Sequence, residues 1–291
     1  MKSQRLFDAF AYPLLILISL ICLLPFLLII SGSFTSNDVI VREGFSLFPK
    51  EPTLLAYEKI LEVPQNMLSA YRVTITVTLI GTAVGLLLIS LTGFVLSRKE
   101  FTYRNQVSFL IYFTNLFGGG LIPYYFVMCR ILHLKGTLAA QWLPGVLSPF
   151  LIILMRTFIS QSVPDELCDA AKIDGASQGT IYTRVVLPVL KPALATIGLF
   201  LALAYWNEWY RSSLFSINQT TWSLQFYLSN MINRANAMSE LLLQSGVVID
   251  DLPTESVKMA MAVLATGPIL LVYPFVQKYF VAGITIGAVK G

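Results

Sequence analysis

Four carboxylates and a lysine fall within Pro164-Asp165-Glu166-Leu167-Cys168-Asp169-Ala170-Ala171-Lys172-Ile173-Asp174-Gly175-Ala176-Ser177. Acid–base or metal chemistry would need convergent acids, histidines or cysteines. The chain has one histidine and three cysteines, with no ligand spacing among them. The run is ordered for a helix–turn–helix instead. Pro164 fixes φ at a helix start, and Asp165 and Glu166 face the positive end of the helix dipole. Leu167, Ala170, Ala171 and Asp174 share one face at helical spacing. Gly175 permits a turn, and Ser177 can cap a second helix running toward Leu187-Pro188. A narrow face of small residues suits a partner's groove. A solvated amphipathic loop on a membrane surface would show the same pattern.

A second cluster is Trp206-Asn207-Glu208-Trp209-Tyr210. Aromatic faces with polar tips suit a sugar, so Trp206, Asn207, Glu208 and Trp209 are candidates for a substrate path. An interfacial aromatic belt has the same composition. His133 falls in a short loop, where solvation is its expected role. Cys22, Cys129 and Cys168 imply neither a disulfide framework nor a metal site, and no cofactor is expected.

The surrounding chain is built for a bilayer. Of 291 residues 56% are hydrophobic, and only 12% are charged, about half the usual share in a soluble domain. This excludes a disordered chain, a collagen-like chain and an ordinary cytosolic enzyme. Uncharged runs lie between Asp8 and Asp38, Arg72 and Arg98, Arg104 and Arg130, Lys135 and Arg156, Lys191 and Glu208, and Lys258 and Lys278. They predict six membrane helices near 9–31, 70–97, 106–129, 137–159, 192–210 and 257–278. A transmembrane β-barrel would show short alternating segments instead. The fold class expected is all-α, a polytopic membrane protein in one domain over 1–291. With the N-terminus inside, 11 lysines and arginines fall on the inner side and 9 on the outer. This bias favours cytosolic termini. The basic excess follows from topology and calls for no nucleic-acid partner.

The first helix has the basic start of a signal peptide, but its apolar run is longer than an h-region, so it is expected to be a retained span. The outer segments are 32–68 and 211–256, and the inner segment is 160–191. The third run contains Phe117-Gly118-Gly119-Gly120-Leu121-Ile122-Pro123. Three glycines and a proline weaken a helix. They serve either close helix packing or a bend.

Asp169-Ala170-Ala171 followed by Asp174-Gly175-Ala176 resembles the EAA signature of bacterial ABC importer permeases. Val185-Val186-Leu187-Pro188 stands where that signature continues, before the last two spans. Gly44-Phe45-Ser46-Leu47-Phe48-Pro49, Gly119-Gly120-Leu121-Ile122-Pro123 and Trp206-Asn207-Glu208 are similar to family segments at the same places. The end, Gly283 to Gly291, resembles the tail of carbohydrate-type permeases, which favours the sugar and oligosaccharide branch. Asp169 departs from the family, which usually has Glu there, so the charge is kept on a shorter reach.

The resemblance implies a permease subunit of an ATP-driven sugar importer in the bacterial plasma membrane. Its implied partners are a second homologous permease subunit, two cytosolic ATPase subunits, an extracellular solute-binding protein, a sugar or oligosaccharide, and membrane lipid. It implies that Glu166, Leu167, Asp169, Ala170, Ala171, Asp174, Gly175 and Ala176 couple the chain to the ATPases, and that the tail 283–291 touches them. The chain has no phosphate-binding G-x-x-x-x-G-K-[ST] loop, which fits a permease that is not itself an enzyme. An ion-coupled secondary transporter is the rival reading. It would place ionisable groups deep in the membrane, whereas the six runs are nearly charge-free.

Overall fold

The structure is a computed structural model that describes residues 2–62, 64–245 and 254–288. Every regular element among the described residues is helical, as the uncharged runs predict. The chain divides into two compact units, residues 1–67 with 227–268 and residues 68–226 with 269–291.

The first unit opens with α1 (Lys2–Ser33) and the short helices α2 (Asn37–Glu43) and α3 (Leu55–Ile60). Phe10–Ser33 is long and apolar enough to cross a membrane. The chain beyond it is tied back by side chains. The Tyr57 hydroxyl donates to Ser33 Oγ at 2.9 Å, and the Tyr57 ring lies 5.3 Å from that of Phe34.

The second unit holds nearly all of α4 (Pro64–Ser97), which is also long and apolar enough to cross. Next come α5 (Arg104–Leu116) and α6 (Leu121–Phe126), the latter running on through a π-turn at Val127–Ile131. These two stretches meet at 109° across Phe117–Gly120. Gly120 has φ +84°, and a Cβ at Gly118 or Gly119 would meet no atom within 4 Å. Among the described residues the glycine run therefore makes a bend and no close packing contact. The single helix expected at 106–129 is broken because left-handed backbone at Gly120 cannot continue an α-helix.

α7 (Ala139–Trp142), a 3₁₀ turn at Leu143–Gly145 and α8 (Pro149–Ser162) follow, with a 46° bend between Gly145 and Pro149. α9 (Asp165–Ile173) leads to α10 (Gln178–Thr180), a π-turn at Ile181–Val186 and α11 (Leu187–Val189). An 83° turn at Leu190 then opens α12 (Lys191–Trp206), with Pro192 in its first turn. The fifth run was expected to stay helical to 210, but α12 stops at Trp206. The short helix α13 (Tyr210–Phe215), α14 (Leu224–Ser245) and the 35-residue α15 (Thr254–Ala288) complete the order. The sixth expected span lies inside α15. Asp250 and Asp251, and the tail residues Val289–Gly291, lie outside the described residues.

The core of the second unit joins α4, α8, α9, the Ile181–Val186 turn and α12 through Ile89, Met155, Ile159, Cys168, Ile181, Val186 and Ile197. Close approach depends on small residues, as it does between membrane helices generally. A Cβ at Gly93 would stand 2.7 Å from Met155 Cγ, and one at Gly81 would stand 2.6 Å from the Tyr205 ring.

Candidate functional site

Helix α9 starts where its sequence dictates, with Pro164 as N-cap and Asp165 and Glu166 in the first turn. Its end is a Schellman motif. The Ala176 N–H donates to Ala171 O at 3.0 Å, and the Gly175 N–H donates to Lys172 O at 3.0 Å. Gly175 holds φ +82°, the left-handed conformation this motif demands. Ala171 and Ala176 both pack on the core, supplying the apolar contact that accompanies the motif. Ser177 Oγ then accepts from Thr180 N at 3.3 Å and opens the second helix.

One face of α9 is buried and another is bare. Cys168 is buried and Ala171 half-buried. Leu167 is 50% exposed and Ile173 is 87% exposed, with Ala170 exposed between them. The shared face read from the sequence (Leu167, Ala170, Ala171, Asp174) therefore points largely outward. The three-residue spacing of Leu167, Ala170 and Ile173 makes one apolar ridge on a polar segment.

Ion pairs tie α9 to the residues just past α4. Lys99 Nζ lies 2.7 Å from Asp165, Lys172 Nζ 3.0 Å from Glu100, and an Arg98 Nη 3.8 Å from Asp169. The Lys99 contact holds the Asp165 carboxyl below its usual pKa, and Lys172 does the same to Glu100. Burial raises the Cys168 thiol. Both carboxylates titrate low, so the pairing is present above the ordinary carboxylate range and is lost as pH falls through their depressed values. The Lys99–Asp165 and Lys172–Glu100 pairs are exposed on both sides, so they orient α9 more than they stabilise the fold, whereas Arg98 meets Asp169 from a buried position. Glu166, Asp174 and Gly175 are exposed at the tip. Sequence reasoning read Arg98 and Lys99 only as topology markers. The cluster of opposite charges in Arg98-Lys99-Glu100 at a span end was the available signal. Ile173 was also passed over, though its place three residues after Ala170 marks the same ridge.

The second candidate cluster is dispersed. Glu208 is buried; its Oε1 accepts from the Arg211 N–H at 2.6 Å and its Oε2 lies 3.1 Å from Arg211 Nη2. Arg211 Nη1 also donates to Gln141 O at 2.7 Å, and Ser223 Oγ donates to Glu208 O at 2.6 Å. Asn207 Nδ2 donates to Leu203 O at 2.9 Å, and its Oδ1 accepts from Gln225 Nε2 at 3.4 Å. Trp206 is half-buried, and Trp209 is 52% exposed beside Tyr210. Of the four, Trp209 presents the most open aromatic surface. His133 sits at φ +53° just after the α6 stretch. No group of three or more metal-ligating side chains occurs among the described residues.

No protein-family profile matches the chain. Among curated proteins it is 37% identical over 292 residues to the polygalacturonan/rhamnogalacturonan transport system permease protein YtcP of Bacillus subtilis, covering 99% of this chain and 100% of the relative. It is 29% identical over 280 residues to the trehalose/maltose transport system permease protein MalG of Thermococcus litoralis, covering 95% and 94%. Among solved structures it matches a bacterial ABC transporter involved in the import of the acidic polysaccharide alginate. That match has a TM-score of 0.77 at 30% identity and covers 96% of this chain and 98% of the other.

Proposed function

We propose, from the premise that this chain belongs to the permease subunits of sugar and oligosaccharide ABC import systems, that it forms half of a translocation pathway and couples to ATPases through α9. An ATPase and a binding protein are the partners such systems imply. In the finer reading two cytosolic ATPase subunits hydrolyse ATP, a second homologous permease completes the path, and an extracellular solute-binding protein delivers the sugar. The chain itself performs no catalysis. ATPase closure shifts the balance of inward-open and outward-open states.

The observation that carries the coupling role is the Leu167–Ala170–Ile173 ridge. An isoleucine that is 87% exposed on a helix anchored by three ion pairs is a surface awaiting a partner. Glu166, Asp169, Asp174, Gly175 and Ala176 frame it. Asp169 already meets Arg98 of its own chain, so this acid positions α9 and does not supply the main contact to an ATPase. Ile173→Asp tests the role. It removes no internal contact, so membrane abundance stays normal. The affinity read by ATPase pull-down with the tagged chain should fall about a hundredfold or more, since burying an unpaired carboxylate in an interface costs several kcal/mol. Undiminished pull-down would overturn the docking role of this ridge.

The topology we propose has six spans and both termini in the cytosol. The spans correspond to α1, α4, bent α5–α6, bent α7–α8, α12 and α15. Impermeant thiol reagents applied to intact cells should label cysteines placed in 35–65 and 215–245. They should spare cysteines placed in 165–185. Labelling of that segment from outside would reverse the orientation.

A further inference from the structure

A cavity of about 280 Å³ lies beside α9, between the end of α4, the start of α5 and α8. Arg98, Lys99, Arg104 and Arg156 line it, against Asp165 as the one carboxylate. Asp165 is engaged by Lys99 at 2.7 Å, and Arg98 meets Glu100 and Asp169 at 3.4 and 3.8 Å. Arg104 and Arg156 form no ion pair among the described residues; Arg156 donates to Ser108 Oγ at 2.8 Å. Arg98 is only 9% exposed, and its Nε has no hydrogen-bond partner among the described residues. A buried guanidinium with an idle donor is costly unless something accepts from it. Surplus cations around a partly enclosed space draw an anion, and guanidinium groups pair best with oxyanions they can grip at two points.

We propose that this cavity binds a phosphate-class oxyanion, either the phosphodiester of an anionic lipid headgroup or free inorganic phosphate. The chemistry is that of basic pockets between membrane helices, which hold lipid head groups at the membrane surface. Arg104 opens α5 and Arg156 lies within α8, so one anion there joins α5 and α8 to the wall formed by Cys168 of α9. The site exists whichever way the chain is inserted. Only its assignment to the cytosolic leaflet rests on the topology proposed above.

The test uses the full chain assembled with its co-expressed partners in nanodiscs of neutral lipid. Phosphatidylglycerol is titrated in one arm and inorganic phosphate in the other. Bound lipid is counted by native mass spectrometry, and bound phosphate by isotope retention. The wild type should retain one phosphatidylglycerol or one phosphate per chain. Arg104→Gln should weaken that binding about tenfold, the worth of a charge-assisted hydrogen bond, and Arg104→Lys should restore part of it. Saturation by phosphatidylglycerol that phosphate cannot displace identifies a lipid, while phosphate binding in neutral lipid identifies the free ion. Wild-type chain that retains neither ligand overturns the site, as does equal retention by Arg104→Gln and Arg156→Gln in assembled complexes. Loss of retention in Arg104→Gln sustains the site even if thiol labelling places this end of α4 outside, so the two readings fail separately.

Discussion

Gly175→Val should leave the chain inserted at normal abundance and lower sugar uptake about tenfold. Among the described residues a Cβ at Gly175 would meet nothing within 4 Å, so the expected defect does not come from a clash inside the described chain. It comes from φ +82°. An ordinary L-residue pays about 1–2 kcal/mol for left-handed backbone, and a β-branched one more. Both Schellman hydrogen bonds hang on that conformation. If the turn relaxes, Ala176 leaves Ala171 and the α9 ridge rotates away from its partner. Gly175→Asn is the informative control, because asparagine tolerates the left-handed region far better than valine. It should retain most uptake. Membrane abundance, ATPase pull-down and uptake measured together decide the matter. Normal uptake by the valine variant would leave the segment a surface loop, while equal loss with asparagine would point to crowding at the docked interface.

The parts of this site that were legible in the sequence obey local rules. Pro164, Asp165 and Glu166 start a helix, Gly175 ends it, and Ser177 starts another, and each does so in the structure. These choices depend on neighbours within a few residues. Which face of α9 is buried depends on tertiary packing, and periodicity cannot report it. The spacing put Leu167, Ala170 and Ala171 on one face, yet Leu167 and Ala170 are exposed, while Ala171 packs on the core that Cys168 enters. The anchoring by Lys99, Glu100 and Arg98 crosses more than 60 residues of sequence, so composition alone gave no reason to pair them. The glycine run at Gly118–Gly120 permitted either packing or a bend, and the positive φ of Gly120 decides for the bend. The end of α12 at Trp206 was hidden for a related reason. An unbroken apolar pattern does not show that the next helix, α13, takes its hydrogen-bonding acceptor from Glu208.

That acceptor sets the second large expected effect. Glu208→Ala should destabilise the chain by about 3 kcal/mol, the lower end of the range for breaking a buried ion pair, because the Arg211 side chain remains 24% exposed. The alanine leaves the Arg211 guanidinium and its backbone N–H without their carboxylate. A lower unfolding midpoint in detergent and lower membrane abundance should follow. Glu208→Gln separates structure from transport. Its carbonyl oxygen still accepts from the Arg211 N–H, and the shape is unchanged, so stability should fall less and uptake should largely survive. If the carboxylate instead contacts sugar along the path, the glutamine variant should be stable and yet lose uptake. The internal partners already filling both carboxylate oxygens favour the first result and leave Trp209, with its open face, as the member of this cluster best placed to meet a sugar. Trp209→Ala should accordingly reduce uptake while the unfolding midpoint stays near that of the wild type. A lowered midpoint with unchanged uptake per folded chain would place Trp209 in the aromatic belt.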